Sequence, residues 1–140
     1  MFRTNHAFKF LLTMVAGFSL TVQSGCDANR VPDTVTVTSE TSSPNGEFVA
    51  TCFNCEGGGA GGYAYTNVNL RRTSNELNPR DSLLGKHKTW SGFSNIKIHW
   101  IDDRNLEVFY RQTEGPEYEE HNATRVPTKE GITIHYVILP

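Results

Sequence analysis

The sequence predicts a mainly β protein, built as a single small antiparallel β domain with about six to eight strands in a sandwich or a meander. Three observations support this fold class. Apolar and polar residues alternate with a period of two in several runs, these runs are rich in β-branched and aromatic residues, and turn-forming residues separate them. No window offers a helix of three turns, since Pro79 interrupts the nearest candidate, TSNELNPRDSLLG.

The first half of the domain contains three of these alternating runs: TVTVTSE, EFVATCF and YAYTNVNLRR. Successive side chains of a strand point to opposite faces, so each run has two predictable faces. Within each run, one face is expected to carry the following residues: Val35 and Val37 in the first, Phe48, Ala50 and Cys52 in the second, and Ala64, Thr66, Val68 and Leu70 in the third. The opposite face of the third strand carries Tyr63, Tyr65, Asn67 and Asn69.

The second half contains three more runs: NIKIHWID, NLEVFYRQ and ITIHYVIL. Their alternation is typical of a sheet with one buried face and one face in water. The residues predicted to face the core are Ile96, Ile98 and Trp100, then Leu106, Val108 and Tyr110, then Ile132, Ile134, Tyr136 and Ile138.

Two turns are readable between these strands. Pro44-Asn45-Gly46 combines a proline that presets a turn with residues that tolerate positive φ, and Asp102–Asn105 has the length of a hairpin loop. The long acidic segment 113–131 has no periodicity. It predicts either a mobile loop or a loop with a short strand around Tyr118.

The chain begins with the parts of a secretory signal peptide. A basic stretch without acids leads into FLLTMVAGFSLTV, which carries no charge, and small residues follow at Ser24 and Gly25. The apolar stretch is shorter than the ~20 residues of a membrane-spanning helix. The expected organisation is a lipoprotein-type signal peptide over 1–25, a polar tether over 26–34 and the antiparallel β domain over 35–140.

Cys26 is the predicted site of lipid attachment. The residues before it resemble the lipobox of bacterial lipoproteins, although Gln23 stands where that pattern has an apolar residue. The competing prediction is cleavage after Ser24, which would yield a secreted, soluble form. The chain has three cysteines, and acylation of Cys26 avoids an odd thiol in an exported protein.

A lipid on Cys26 would anchor the protein in the cell envelope, on the outer, periplasmic side of the cytoplasmic membrane. In proteobacterial lipoproteins an aspartate directly after the cysteine, where Asp27 stands here, resembles the signal that keeps a protein at the inner membrane. The expected partners are therefore the membrane, through this lipid, and an envelope protein of unknown identity.

Charge and motifs exclude several other classes of function. The 140 residues include 13 basic and 15 acidic ones, with a net charge of −2 and no run rich in lysine or arginine, so nucleic acid is not an expected partner. EGGGAGG lacks the lysine and hydroxyl of a phosphate-binding loop. No serine–histidine–acid set or carboxylate pair can be singled out, so neither a catalytic site nor a cofactor is expected.

Cys52 and Cys55 form the spacing with the most chemical potential. Our first expectation is a structural disulfide, because the predicted compartment is oxidising. The alternatives are a redox-active dithiol, a metal site or two free thiols. Catalytic pairs usually open a helix, which the glycine run excludes, and a metal site would need two more ligands with paired spacing, which the histidines do not supply. The sequence therefore predicts no metal.

A possible binding surface lies on the polar side of the later strands. His99 and His135 occupy like positions in IKIHWI and ITIHYV, opposite the isoleucines. If the strands are neighbours, one polar face would hold a set of five side chains together with Phe109. The set is Lys97, His99, Glu107, Arg111 and His135. A merely solvated outer face is the alternative.

Several sequence segments of the domain resemble those of a known family. SPNGEFVA, a cysteine- and glycine-rich stretch, TNVNL and IKIHWIDDRNLEVFY, within residues 43–138, resemble small uncharacterised bacterial proteins of the DUF5412 type. Asn45 stands where that family usually has aspartate. The resemblance implies no activity and no catalytic residue. The sequence thus favours a lipid-anchored interaction or structural module, with an exported thiol or metal protein using Cys52 and Cys55 as the alternative.

Overall fold

A computed structural model describes residues 32–140, in which seven strands and one short helix follow the alternating runs of the sequence. The predicted signal peptide, Cys26 and most of the tether lie outside the described residues. The mainly β fold class is confirmed. The elements are β1 (Thr34–Ser42), β2 (Phe48–Gly57), β3 (Tyr63–Arg72), β4 (Phe93–Asp102), β5 (Asn105–Gln112), α1 (Glu119–Ala123), β6 (Thr128–Lys129) and β7 (Ile132–Ile138).

The first sheet has the strand order β1-β2-β3, and both pairs are antiparallel. The turn between β1 and β2 is the predicted one. Gly46 has φ +74°, and its N–H donates to the carbonyl of Ser43 at 2.9 Å. The turn between β2 and β3 is the glycine run, where Gly58 and Gly59 have φ of +85° and +60°. These left-handed conformations explain why glycine recurs in both turns.

The second sheet has the strand order β4-β5-β7-β6 and corrects one part of the prediction. Its strands are not all antiparallel, because β5 and β7 pair in parallel, with Glu107 opposite His135. A parallel pair needs a crossover of about a dozen residues or more, and segment 113–131 supplies it. This segment contains a 3-10 turn over Pro116–Tyr118, helix α1 and the two-residue strand β6. Of the two alternatives for this segment, the short strand around Tyr118 is therefore wrong.

The main core lies between the two sheets, which pack face to face. It takes Phe48, Ala50 and Cys52 from β2 and Val68 and Leu70 from β3, as the alternation predicts. The second sheet contributes Trp100, Leu106, Val108, Tyr110, Ile132 and Ile134, with Ile96, Ile98 and Tyr136 packed at the margin. The alternation predicts that Ile138 faces the core, but Ile138 is 58% exposed, because it lies two residues beyond Tyr136, the last β7 residue packed against the core.

The outer side of β2 and β3 is covered as well. Phe53, Cys55 and Tyr65 form a second buried cluster, against which Val35, Tyr63 and Leu77 pack. The loop over residues 73–92 lies on this side of β3, where it buries Asn67 and Asn69. As a result, β2 is buried on both faces from Phe48 to Phe53.

Candidate functional site

The second sheet presents one face that no described element covers, and this face contains the predicted binding residues. We call it the open face. It consists of the outward side chains Lys97, His99 and Ile101 of β4, Asn105, Glu107, Phe109 and Arg111 of β5, and Thr133, His135 and Val137 of β7.

Strand register places these side chains in rows. His99 lies opposite Glu107, which lies opposite His135 on the next strand. One step along, Lys97 lies opposite Phe109, which lies opposite Val137. Residues directly opposite each other in a sheet are close enough to act together. Because β4, β5 and β7 are neighbours, all five predicted residues share this face, with Arg111 at the end where it pairs with Ser94.

The open face combines charged and apolar groups. Ile101 is 52% exposed, Val137 is also exposed, and Phe109 is half-buried between the strands that flank it. Lys97 and Arg111 supply positive charge and Glu107 negative charge. The open face therefore holds an aromatic ring, an arginine and aliphatic side chains among other charged groups.

One edge of the open face is held by a hydrogen-bond chain that the sequence reasoning missed. The Asn105 amide donates to both carboxylate oxygens of Asp102 at 2.9 Å, and its Oδ1 lies 3.0 Å from Nε2 of His135. The backbone N–H of Arg104 and the Asn105 side chain hold the pKa of Asp102 below its ordinary value. An aspartate that accepts from the backbone two residues later is a turn signal that could have been read from the sequence.

The expected Cys52–Cys55 disulfide is wrong, and both thiols are free and buried. Cys52 points into the main core, whereas Cys55 points into the outer cluster with Phe53. Residues three apart in a strand lie on opposite faces, and their Cα atoms are about 10 Å apart, beyond the reach of a disulfide. The same geometry prevents the pair from acting as a dithiol or as joint metal ligands. Burial raises the pKa of Cys52.

Two buried asparagines hold the 73–92 loop in place. Asn67 Oδ1 accepts from the backbone N–H of Leu84 at 2.9 Å, and its amide donates back to the Leu84 carbonyl. The Asn69 amide donates to the carbonyl of Asp81 at 2.8 Å. The sequence places both asparagines on a polar face but gives no sign that a loop buries them.

The guanidinium group of Arg125 packs on aromatic rings at the margin of the main core. The Arg125 guanidinium carbon lies 4.7 Å from the Phe93 ring centroid and 4.9 Å from that of Tyr110. Its Nη2 donates to the Tyr110 hydroxyl at 2.9 Å. Nearby, burial raises the pKa of Tyr136 to about 12. These groups satisfy one another's hydrogen-bonding and packing, so they form a structural cluster rather than a site for a ligand.

Two surface pockets of residues 32–140 are small. They have volumes of about 200 Å³, beside Asn54 and Tyr65, and about 260 Å³, beside Glu114 and Asn122. Ligand sites usually exceed about 300 Å³. In residues 32–140, no group of three or more histidine, cysteine, aspartate or glutamate side chains is arranged to hold a metal ion. Within the same range, no helix has the length and apolarity needed to cross a membrane.

No protein-family model, no curated protein and no solved structure matches this chain. The resemblance to the DUF5412 type therefore stays a prediction from short motifs.

Proposed function

We propose that the protein is exported, is anchored by lipid on Cys26 and acts as a non-enzymatic interaction module that binds another envelope protein through the open face. Export and lipid anchoring are supported by the sequence alone, in which a charge-free apolar stretch is followed by small residues and then a cysteine. The interaction is supported by the geometry of the second sheet. The two parts of the proposal are separable, and each has its own experiment.

The observation that carries the interaction is the lack of a cover on a face that is not fully polar. Ile101, Phe109 and Val137 interrupt the charged side chains, and no described segment packs against them. Exposing apolar groups on a regular sheet costs solubility, so such a surface often marks a binding site. Small-molecule sites are concave pockets, whereas the open face is formed by the outward side chains of three neighbouring strands, which favours a protein as its partner.

Mass spectrometry of the mature protein tests the anchor. We expect the amino-terminal peptide to begin at Cys26 and to carry the added mass of acyl chains. A mature amino terminus at Gly25, with an unmodified Cys26, would contradict the anchor and favour the secreted, soluble form. The result does not depend on whether the open face binds anything.

Two matched substitutions test the open face. Ile101 and Val37 are each 52% exposed in a strand, but Ile101 lies on the open face and Val37 on the outer side of the first sheet. After crosslinking in intact cells, we expect Ile101→Glu to lose the crosslinked product of the natural protein and Val37→Glu to keep it. Loss of the product in both variants, or in Val37→Glu alone, would contradict a role for the open face.

A further inference from the structure

The chain enters the β domain at Asp33, and this entry point lies at one end of the first sheet. Asp33 precedes β1, and its carboxylate accepts a hydrogen bond from the hydroxyl of Tyr63, the first residue of β3. Register places Thr34 opposite Glu56, and Glu56 opposite Ala64. The end of the sheet that receives the tether therefore also carries the turn from β2 to β3.

The loop over residues 86–90 lies at this same end. The N–H of Ser91, which follows the loop, donates to the carbonyl of Ala64 at 2.9 Å. The ammonium group of Lys88 lies 5.8 Å from the centroid of the Tyr63 ring. Asp33, Tyr63 and Lys88 thus follow one another across the end of the sheet. We call the loop 86–90 together with Asp33 and Tyr63 the tether end.

The tether end presents the chemistry of a membrane interface. Trp90 is 63% exposed, which is more than any other large apolar side chain of residues 32–140. Tryptophan concentrates at the headgroup level of bilayers, because its ring is apolar and its N–H can stay hydrated. Lysine beside it can pair with anionic headgroups, and each such residue contributes about 1 kcal/mol near an anionic surface.

The charges at this end leave Lys88 as the available cation. Lys86 is paired with Glu120, whereas no ion pair within the described range involves Lys88. Asp33 is engaged by Tyr63, and Glu56 is exposed on the adjoining strand. The attraction to anionic lipid is therefore modest, so a docked loop needs both the indole of Trp90 and a tether that keeps it close.

The length of the tether supplies that proximity. Seven residue steps separate Cys26 from Asp33, and a chain spans at most about 3.6 Å per residue, so Asp33 cannot lie more than about 25 Å from a lipid on Cys26. We propose that the tether end rests on the bilayer, with Trp90 in the headgroup layer and Lys88 beside anionic phosphates. This inference rests on the proposed anchor at Cys26.

Quenching of tryptophan fluorescence tests this orientation. The mature protein is reconstituted into vesicles of phosphatidylethanolamine and phosphatidylglycerol that contain lipids brominated near the headgroup. Three proteins are compared: the natural sequence, Trp90→Phe, and Trp90→Phe with Ile101→Trp. All three keep Trp100 as a constant background. Trp100 donates to the carbonyl of Thr41 at 3.1 Å, so position 101 lies near the far end of β1.

We expect the brominated lipid to reduce the emission of the natural protein about twofold more than that of Trp90→Phe, because the indole lies at the headgroups. The added tryptophan at position 101 is expected to be unquenched, since β1 separates the two ends by about 26 Å. Lys88→Gln is expected to lower the quenching without abolishing it.

Other results would overturn the orientation. Equal quenching of the natural protein and Trp90→Phe would show that Trp90 does not reach the lipid. The exposed loop would then be a candidate for a protein contact instead. Quenching at position 101 would put the opposite end on the membrane. Flotation of the vesicles separates the two proposals: a protein that fails to float overturns the anchor and the orientation together, whereas one that floats with Trp90 unquenched overturns the orientation alone.

Discussion

The two sheets of this domain differ in how many of their faces are covered. In the first sheet, β2 is buried on both sides from Phe48 to Phe53, with the main core on one side and the outer cluster on the other. In the second sheet, β5 alternates regularly between buried and partly exposed residues. The comparison teaches that similar alternating sequences can form a closed layer or an open one, depending on what a distant loop covers.

The difference arises from the loop over residues 73–92. This loop brings Leu77 against the outer cluster and accepts hydrogen bonds from Asn67 and Asn69. No described segment provides the same cover for the second sheet. The free energy gained by burying the outer side of the first sheet therefore has no counterpart on the open face, where a partner could supply it.

The largest expected contrast is between two phenylalanines. Phe53 is fully buried in the outer cluster of the first sheet, and Phe109 lies on the open face. Phe53→Ala should lower the free energy of unfolding by about 3–5 kcal/mol. Phe109→Ala should lower it by about 1 kcal/mol or less. Urea denaturation of both variants measures the contrast, and equal losses would show that the first sheet is no more closed than the second.

The next contrast tests how the covering loop is held. Asn67→Ala leaves the backbone N–H and carbonyl of Leu84 without their partners, which should cost about 2–3 kcal/mol. Limited proteolysis should then cut within residues 73–92. Asn75→Ala, an exposed residue of the same loop, is the control and should change neither quantity. A loop that stays protected in Asn67→Ala would show that apolar contacts alone hold it.

The cysteines report on the two faces of β2 separately. Cys52→Ala and Cys55→Ala should each cost about 1–2 kcal/mol, since each removes buried volume. Their effects should add, with a coupling below about 0.5 kcal/mol, because the side chains lie on opposite faces. Both thiols should react with a thiol reagent only in urea. The disulfide would be supported instead if the protein gained the mass of two hydrogens on reduction, or if the two substitutions showed a strong coupling energy.

The smallest expected effect is a pH dependence at His121. Burial, followed by the positive charges of Arg125 and Lys86, lowers the pKa of His121 from 6.5. The unfolded chain therefore binds a proton that the folded protein does not, and stability falls as the pH drops below about 6.5 toward the folded pKa. His121→Asn should flatten this slope in thermal melts. An unaltered slope in His121→Asn would assign the acid sensitivity to other groups.

The parts of the fold that depend on local alternation could be predicted from the sequence. The core-facing patterns of β2, β3, β4 and β5 and the Pro44-Asn45-Gly46 turn depend only on neighbouring residues. The shared face of Lys97, Glu107 and His135 also follows, once the strands are neighbours. The error at Ile138 has another origin, since alternation gives the direction of a side chain but not where the core ends.

Other features could not be obtained in this way. The parallel pairing of β5 with β7 depends on the path of segment 113–131, which has no periodicity to read. The burial of Asn67 depends on a loop that closes over it from outside the strand. The cysteines are a different case, because the alternation that located β2 already places residues 52 and 55 on opposite faces. The expected disulfide fails because β2 continues to Gly57, so both cysteines lie within one extended strand.

The central claim is that the open face is the part of this domain that contacts a partner. Photo-crosslinking in living cells tests it most directly, with a photoreactive phenylalanine analogue placed at Phe109 in one protein and at Val37 in another. We predict a discrete crosslinked protein from position 109 and none from position 37. A product from position 37 alone, or no product from 109 in cells where the protein is present and folded, would contradict the claim.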